Sequence, residues 1–127
     1  MENNNLNKLD TKQDNVSGNE LIIYQDKYLT ITNKDITINS YYMWYPMKKK
    51  IKFSMIKRIE LINLTLLTGK YKFWGLSYLM YWFHMDSNRY MKKECIVLDL
   101  GTCIKPAITP NNILQVYEIL IDKLDKR

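Results

Sequence analysis

Acidic residues are almost missing from the middle of this chain. Positions 36 to 85 hold eight Lys or Arg and one acid, Glu60, a local charge of +7 (eight minus one) within a total of +6. Histidine occurs once, at His84, which excludes a multi-histidine metal site or relay. Cys95 and Cys103 have no second pair beside them, so zinc spacing is absent, and the four glycines never form a phosphate-cradling loop. No uncharged run exceeds the thirteen residues Phe73–Met85, well short of the roughly 20 a membrane-spanning helix needs. The opening Met1-Glu2-Asn3 is polar and shows no signal-peptide or myristoylation pattern. These absences lead us to expect a cytosolic protein with two reduced thiols, no metal and no cofactor, at most peripheral to a membrane.

What is abundant is aromatic. Ten tyrosines and three tryptophans in 127 residues favour strands, in a chain long enough for one domain. Residues 1–19 are rich in Asn, Asp and Lys with few apolar side chains, and read as a disordered N-terminal tail before a domain over 20–127.

Seven strands are expected in that domain. Leu21–Thr32 is β-branched and aromatic and closes at Asn33-Lys34-Asp35. Ile36, Ile38, Tyr42 and Trp44 alternate inward, with Thr37, Asn39, Tyr41 and Met43 outward, a period of two broken only at Ser40. Tyr45-Pro46-Met47-Lys48 makes a turn, and Ile51 and Phe53 point inward against Lys50, Lys52 and Ser54. After a helical turn or bulge over Ser54–Arg58, Ile59–Leu67 reads as a buried strand, since its apolar residues make no single helical stripe. Trp74–Asp86 reads as a strand bulged at Gly75, and Glu94–Leu100 pairs with Cys103–Thr109 around Gly101-Thr102. Ile113, Val116, Tyr117, Leu120, Ile121 and Leu124 then recur at helical spacing, with Thr109 as N-cap and Pro110 at the first helical position.

Two groups of residues could carry chemistry. Lys48, Lys49, Lys50, Lys52, Lys57 and Arg58 put six cations within eleven residues of a hairpin that also holds Tyr45 and Met47. Anionic lipid headgroups suit that collar, at about 1 kcal/mol per cation near the surface. The competing reading is an edge strand guarded by lysines. Nucleic acid ranks below both, because strand binding wants exposed aromatics and Trp44 is expected inward. His84 and Asp86 share one face of a strand, with Ser77 or Ser87 near in sequence, but no nucleophile elbow or oxyanion hole accompanies them. A small enzyme using His84 and Asp86 is therefore the remote alternative. Asp86-Ser87-Asn88-Arg89 reads as an Asx-turn in preference to a functional ion pair.

Successive short strands ending in one amphipathic helix resemble the pleckstrin-homology (PH) superfold. Tyr42-Met43-Trp44-Tyr45-Pro46, followed by Lys49-Lys50-Ile51-Lys52-Phe53-Ser54-Met55-Ile56-Lys57-Arg58-Ile59, is similar to small microbial PH-like domains. So are Trp74-Gly75, Trp82-Phe83-His84-Met85-Asp86 with Arg89, and Ile108-Thr109-Pro110 before the helix. The resemblance spans roughly residues 20–125. It implies a mainly β fold, a strongly bent seven-stranded barrel of two nearly orthogonal sheets capped by the helix. It also implies a non-catalytic interaction module, expected to bind a protein partner; the alternative, an anionic phospholipid, rests on the lysines of the 48–52 hairpin themselves.

Overall fold

The computed structural model describes residues 20–42 and 47–127. The expected tail over 1–19 and the expected turn at Tyr45-Pro46 lie outside the described residues, as does Trp44.

The described residues are mainly β, with two sheets and one C-terminal helix. The first sheet is an antiparallel meander of β1 (Ile22–Gln25), β2 (Leu29–Thr32), β3 (Asp35–Ile38) and β4 (Lys49–Lys52). The second holds β5 (Arg58–Asn63), β6 (Gly75–Leu76), β7 (Tyr81–Phe83), β8 (Glu94–Asp99) and β9 (Lys105–Ile108), in the order β5-β8-β9-β7-β6. β7 and β9 run parallel, Phe83 opposite Ala107. Helix α1 (Ile113–Asp125) packs against β5, β8 and the 3-10 turn Phe53–Met55.

Alternating apolar residues of both sheets meet in one core. Leu29, Ile31, Ile36, Ile38 and Ile51 from the first sheet join Ile59, Ile96, Leu98 and Ile108 from the second. Val116 and Leu120 of α1 complete it, both fully buried. Each such side chain contributes about 1.5–3 kcal/mol by leaving water. Ile121, expected inward, is instead exposed, and Ile119 packs on the core in its place. The last residue ties the helix end down: Arg127 donates to the carbonyls of Phe53 and Ile56.

Seven expected strands become nine because two of them are hairpins. Leu21–Thr32 folds back at Asp26, whose carboxylate accepts the backbone N–H groups of Tyr28 at 2.7 Å and Leu29 at 3.1 Å. Trp74–Asp86 folds back at Ser77–Met80, where the Ser77 N–H donates to Tyr81 O at 2.8 Å. Short polar side chains bonding nearby backbone override the strand propensity around them.

Ser40 causes a third difference. Its φ of +51° ends the extended run, and the alternation slips by one residue. A one-residue slip exchanges the faces, so Tyr41 is buried and Tyr42 exposed, the reverse of the expectation. The strand over Ile59–Leu67 likewise stops at Asn63. Thr65 and Thr68 bond each other's backbone N–H groups there, and Thr68 Oγ1 donates to Asn63 O. Leu66 and Leu67 are left in solvent.

Thr109 is not the helix N-cap, nor does Pro110 open the helix. Asn112 caps it, its Oδ1 accepting the Gln115 N–H at 3.3 Å, and Thr109 is buried inside the molecule. The β8–β9 hairpin, by contrast, forms where it was expected, with Val97 opposite Ala107.

Gly69 permits the turn after β5. Its φ is +124°, and a Cβ there would lie 2.5 Å from the Phe83 ring, itself fully buried in a second apolar cluster with Leu64, Cys95, Val97 and Ala107. Gly69→Ala should therefore cost about 2 kcal/mol or more, read as a lowered urea midpoint at unchanged slope.

Candidate functional site

Three of the six cations lie in the first sheet, one in the second, and Lys48 and Lys57 outside both. Lys49, Lys50 and Lys52 lie on β4, an outer strand, and Lys48 precedes it. By alternation Lys50 and Lys52 face solvent, whereas Lys49 turns with Ile51 and sets its ammonium 5.4 Å from the Tyr41 ring centroid. Lys50 pairs with Asp35 at 3.8 Å. Arg58, at the start of β5 in the other sheet, pairs with Asp99 at 3.4 Å. The Lys57 stem lies against Gly101 of the β8–β9 turn. Two of the six are thus in ion pairs, and one lies beside an aromatic ring.

Lys49 instead belongs to a cleft. A hollow of about 600 Å³ opens between Tyr41, Tyr42, Lys49 and Met55 on one side and Leu100 and Ile104 on the other, with Trp82 also in its lining. Its lining is mostly apolar, and Lys49 is the charged one among the described residues that line it. The Tyr41 backbone fixes one wall. Its carbonyl accepts the indole N–H of Trp82 at 2.8 Å and that of Trp74 at 2.9 Å, and the two indoles meet edge to face at 5.1 Å. Burial pushes the Tyr41 phenol far above its ordinary pKa, so the side chain is neutral. Cys103 sits exposed in the lining, while Cys95 is buried in β8 and its thiol is pushed up to about 12 by burial.

His84 and Asp86 do come together, around Thr109. The Thr109 N–H donates to His84 Nε2 at 3.0 Å, and its hydroxyl donates to Asp86 Oδ2 at 2.6 Å. His84 Nδ1 lies 3.1 Å from Met85 O, a bond that requires the proton on Nδ1. With Nε2 accepting, the ring is neutral and both nitrogens are engaged. Burial, then the nearby Arg89, lower its pKa to about 3. Asp86 is equally buried. Desolvation pushes its pKa up, but hydrogen bonds from Lys92, Thr109 and the Asn88 backbone outweigh this and hold it at about 2. The Asn88 bond, 2.9 Å to Oδ1, is the expected Asx-turn.

Sequence reasoning missed Lys92 in this cluster and placed Arg89 only in the turn after Asp86. Lys92 donates to Asp86 Oδ2 at 2.7 Å and lies over the Tyr28 ring. Arg89, only 1% exposed, donates to Thr109 Oγ1, to the carbonyls of Lys72 and Phe73, and to His84 O at 2.6 Å. Burial lowers its pKa to about 10, so it stays charged at neutral pH. The one local signal for this was Arg89 in a turn otherwise rich in small polar residues.

Among the described residues, no group of three or more His, Cys, Asp or Glu could hold a metal ion. No helix there is long and apolar enough to cross a membrane. Comparison of the chain with protein-family models, curated proteins and solved structures finds no match in any of the three.

Proposed function

We propose that this chain is a non-catalytic interaction module of PH-like architecture that binds a protein partner in the cleft beside Lys49. The carrying observation is the cleft itself: apolar and aromatic walls, one cation, and a backbone wall held by two indole hydrogen bonds. Such a site takes an apolar side chain from the partner and a carboxylate beside it. The barrel reading draws support from the meander of four strands, the second sheet facing it across a shared core, and the helix packed at the end. A non-catalytic role draws support from His84, whose two nitrogens are both spent on backbone groups. An anionic-lipid collar at the hairpin ranks below the cleft, since two of the six cations are already paired with Asp35 and Asp99.

Peptides selected from a random displayed library on the immobilised full chain should carry an aromatic or aliphatic anchor next to an acid. Their affinity should fall about tenfold or more on Ile104→Asp, an exposed wall position, and likewise on Lys49→Glu. Failure to enrich any peptide, or binding indifferent to both changes, removes the reading.

A further inference from the structure

Among the described residues, a run of exposed apolar side chains lies away from the cleft, on the segments that connect β5 to β7. Leu66, Leu67, Tyr71, Leu76 and Tyr78 surround one shallow hollow of about 390 Å³. A second hollow of about 250 Å³ shares Tyr71 and Lys72 with the first and adds Phe73 and Tyr90. The two form a continuous face, and Tyr78 at the tip of the β6–β7 hairpin is 83% exposed.

Three observations say what covers it. The hairpin tip Tyr78-Leu79-Met80 is uncharged and apolar, and Met80 sits at φ +67°. Glycine or asparagine takes that backbone conformation at lower cost, and turn tips are ordinarily polar. A turn that keeps Tyr, Leu and Met despite both penalties is one whose apolar tip is needed.

The cations of the face are Lys72 and Lys70, whose ammonium also donates to Lys92 O at 2.7 Å. From position 61 to 85 the sequence has Lys70 and Lys72 and no acid. Asp86, in the wall of the second hollow, is buried and bonded to Lys92. A second copy of this chain docking by the same face would set those lysines against their own copies across a twofold axis. An anionic surface has no such penalty.

The third observation is rigidity of support. Arg89 and the Asp86 N–H hold the carbonyls of Lys72 and Phe73 from inside, so the face is preformed. Tyrosines, leucines and a phenylalanine above a pair of lysines are the composition that settles at a bilayer interface.

We infer that this face docks on an anionic phospholipid bilayer, with the Tyr78-Leu79-Met80 tip entering the headgroup boundary and Lys70 and Lys72 at the phosphates. The inference is independent of the cleft, which lies between Tyr41-Tyr42 and the β8–β9 turn. The whole protein should co-sediment with vesicles of mixed phosphatidylglycerol and phosphatidylcholine, and bind pure phosphatidylcholine vesicles more weakly. The pair Leu66→Asp and Tyr78→Asp, both at exposed positions, should weaken that binding about tenfold or more with an unchanged circular dichroism spectrum. A Tyr78→Trp reporter should shift its emission to the blue on binding and be quenched by brominated lipid. Reversing Lys48, Lys50 and Lys52 to Glu should leave most of the binding. Absence of binding to the anionic vesicles overturns the inference. So does binding lost with the hairpin reversal but kept by the Leu66 and Tyr78 pair. A concentration-dependent dimer that the same pair dissolves, without vesicle binding, assigns the face to a second copy and overturns it too.

Discussion

Arg89→Met should cost about 3–5 kcal/mol of folding free energy, a large share of the roughly 5–15 kcal/mol a domain of this kind holds. The guanidinium reaches four backbone or hydroxyl acceptors in three directions: the carbonyls of Lys72 and Phe73, that of His84, and Thr109 Oγ1. Methionine fills much of the volume but donates nothing, and each buried acceptor left unpaired costs about 1–3 kcal/mol. Removing a desolvated charge recovers part of that, since burying Arg89 is itself unfavourable. The recovery is limited, because the acceptors remain in place and only one side of each bond has been replaced. Arg89→Lys should rescue little, as a single ammonium cannot span the fork's separate targets. Urea unfolding of the purified protein checks this. A loss of less than about 1 kcal/mol for Arg89→Met would show that water or rearrangement satisfies those carbonyls.

The second large effect is on acid stability. His84 has a folded pKa lowered to about 3, from 6.5. Between those values the unfolded chain binds a proton at this ring and the folded chain does not. Stability therefore falls as pH drops below about 6.5, with a slope near 1.4 kcal/mol per pH unit from this group alone. Asp86, lowered to about 2 from 3.8, adds a loss of the same sign at lower pH. The stability of the folded state is fully present above pH 6.5 and several kcal/mol smaller by pH 4. The groups facing the ring from other elements are Tyr28, Arg89, Asp86 and Lys92, and the two cations oppose its protonation. His84→Gln, whose side-chain oxygen can accept the Thr109 N–H, should flatten the slope between pH 4.5 and 6.5. Urea midpoints measured across that range decide it, and an unchanged slope in the glutamine variant would sink the assignment to His84.

How legible this molecule was in its sequence depended on whether periodicity or local polar bonding governed each stretch. Val116 and Leu120 on the helix, Ile51 on β4 and the β8–β9 hairpin follow directly from apolar spacing, because nothing nearby competes with the ladder or the helix. Asp26, Ser40, Thr65 with Thr68, and Ser77 each end an extended run, through a side-chain bond to nearby backbone or a left-handed φ. Those short events turned two expected strands into hairpins and moved Tyr41 inward. The cluster around Thr109 was hidden for a related reason. A threonine before proline at a helix entrance reads as a cap, and only the fold brings it beside Asp86, 23 residues earlier. The lysine run was visible at once, and the 3-10 turn at Phe53–Met55 that separates β4 from β5 begins one residue before the helical turn or bulge expected over Ser54–Arg58.

The Tyr41 carbonyl has a consequence for watching this protein fold. It follows the third strand of the first sheet, while the two indoles that fill both its lone pairs come from β7 of the second sheet, Trp82, and from Trp74 just before β6. Two of the three tryptophans in the chain thus report on a single peptide plane where the sheets meet. With Trp44 replaced by phenylalanine, their emission becomes a clock for sheet docking, separable from the far-ultraviolet signal of α1. Stopped-flow traces of the two signals would then say whether the halves of the core close together or in turn.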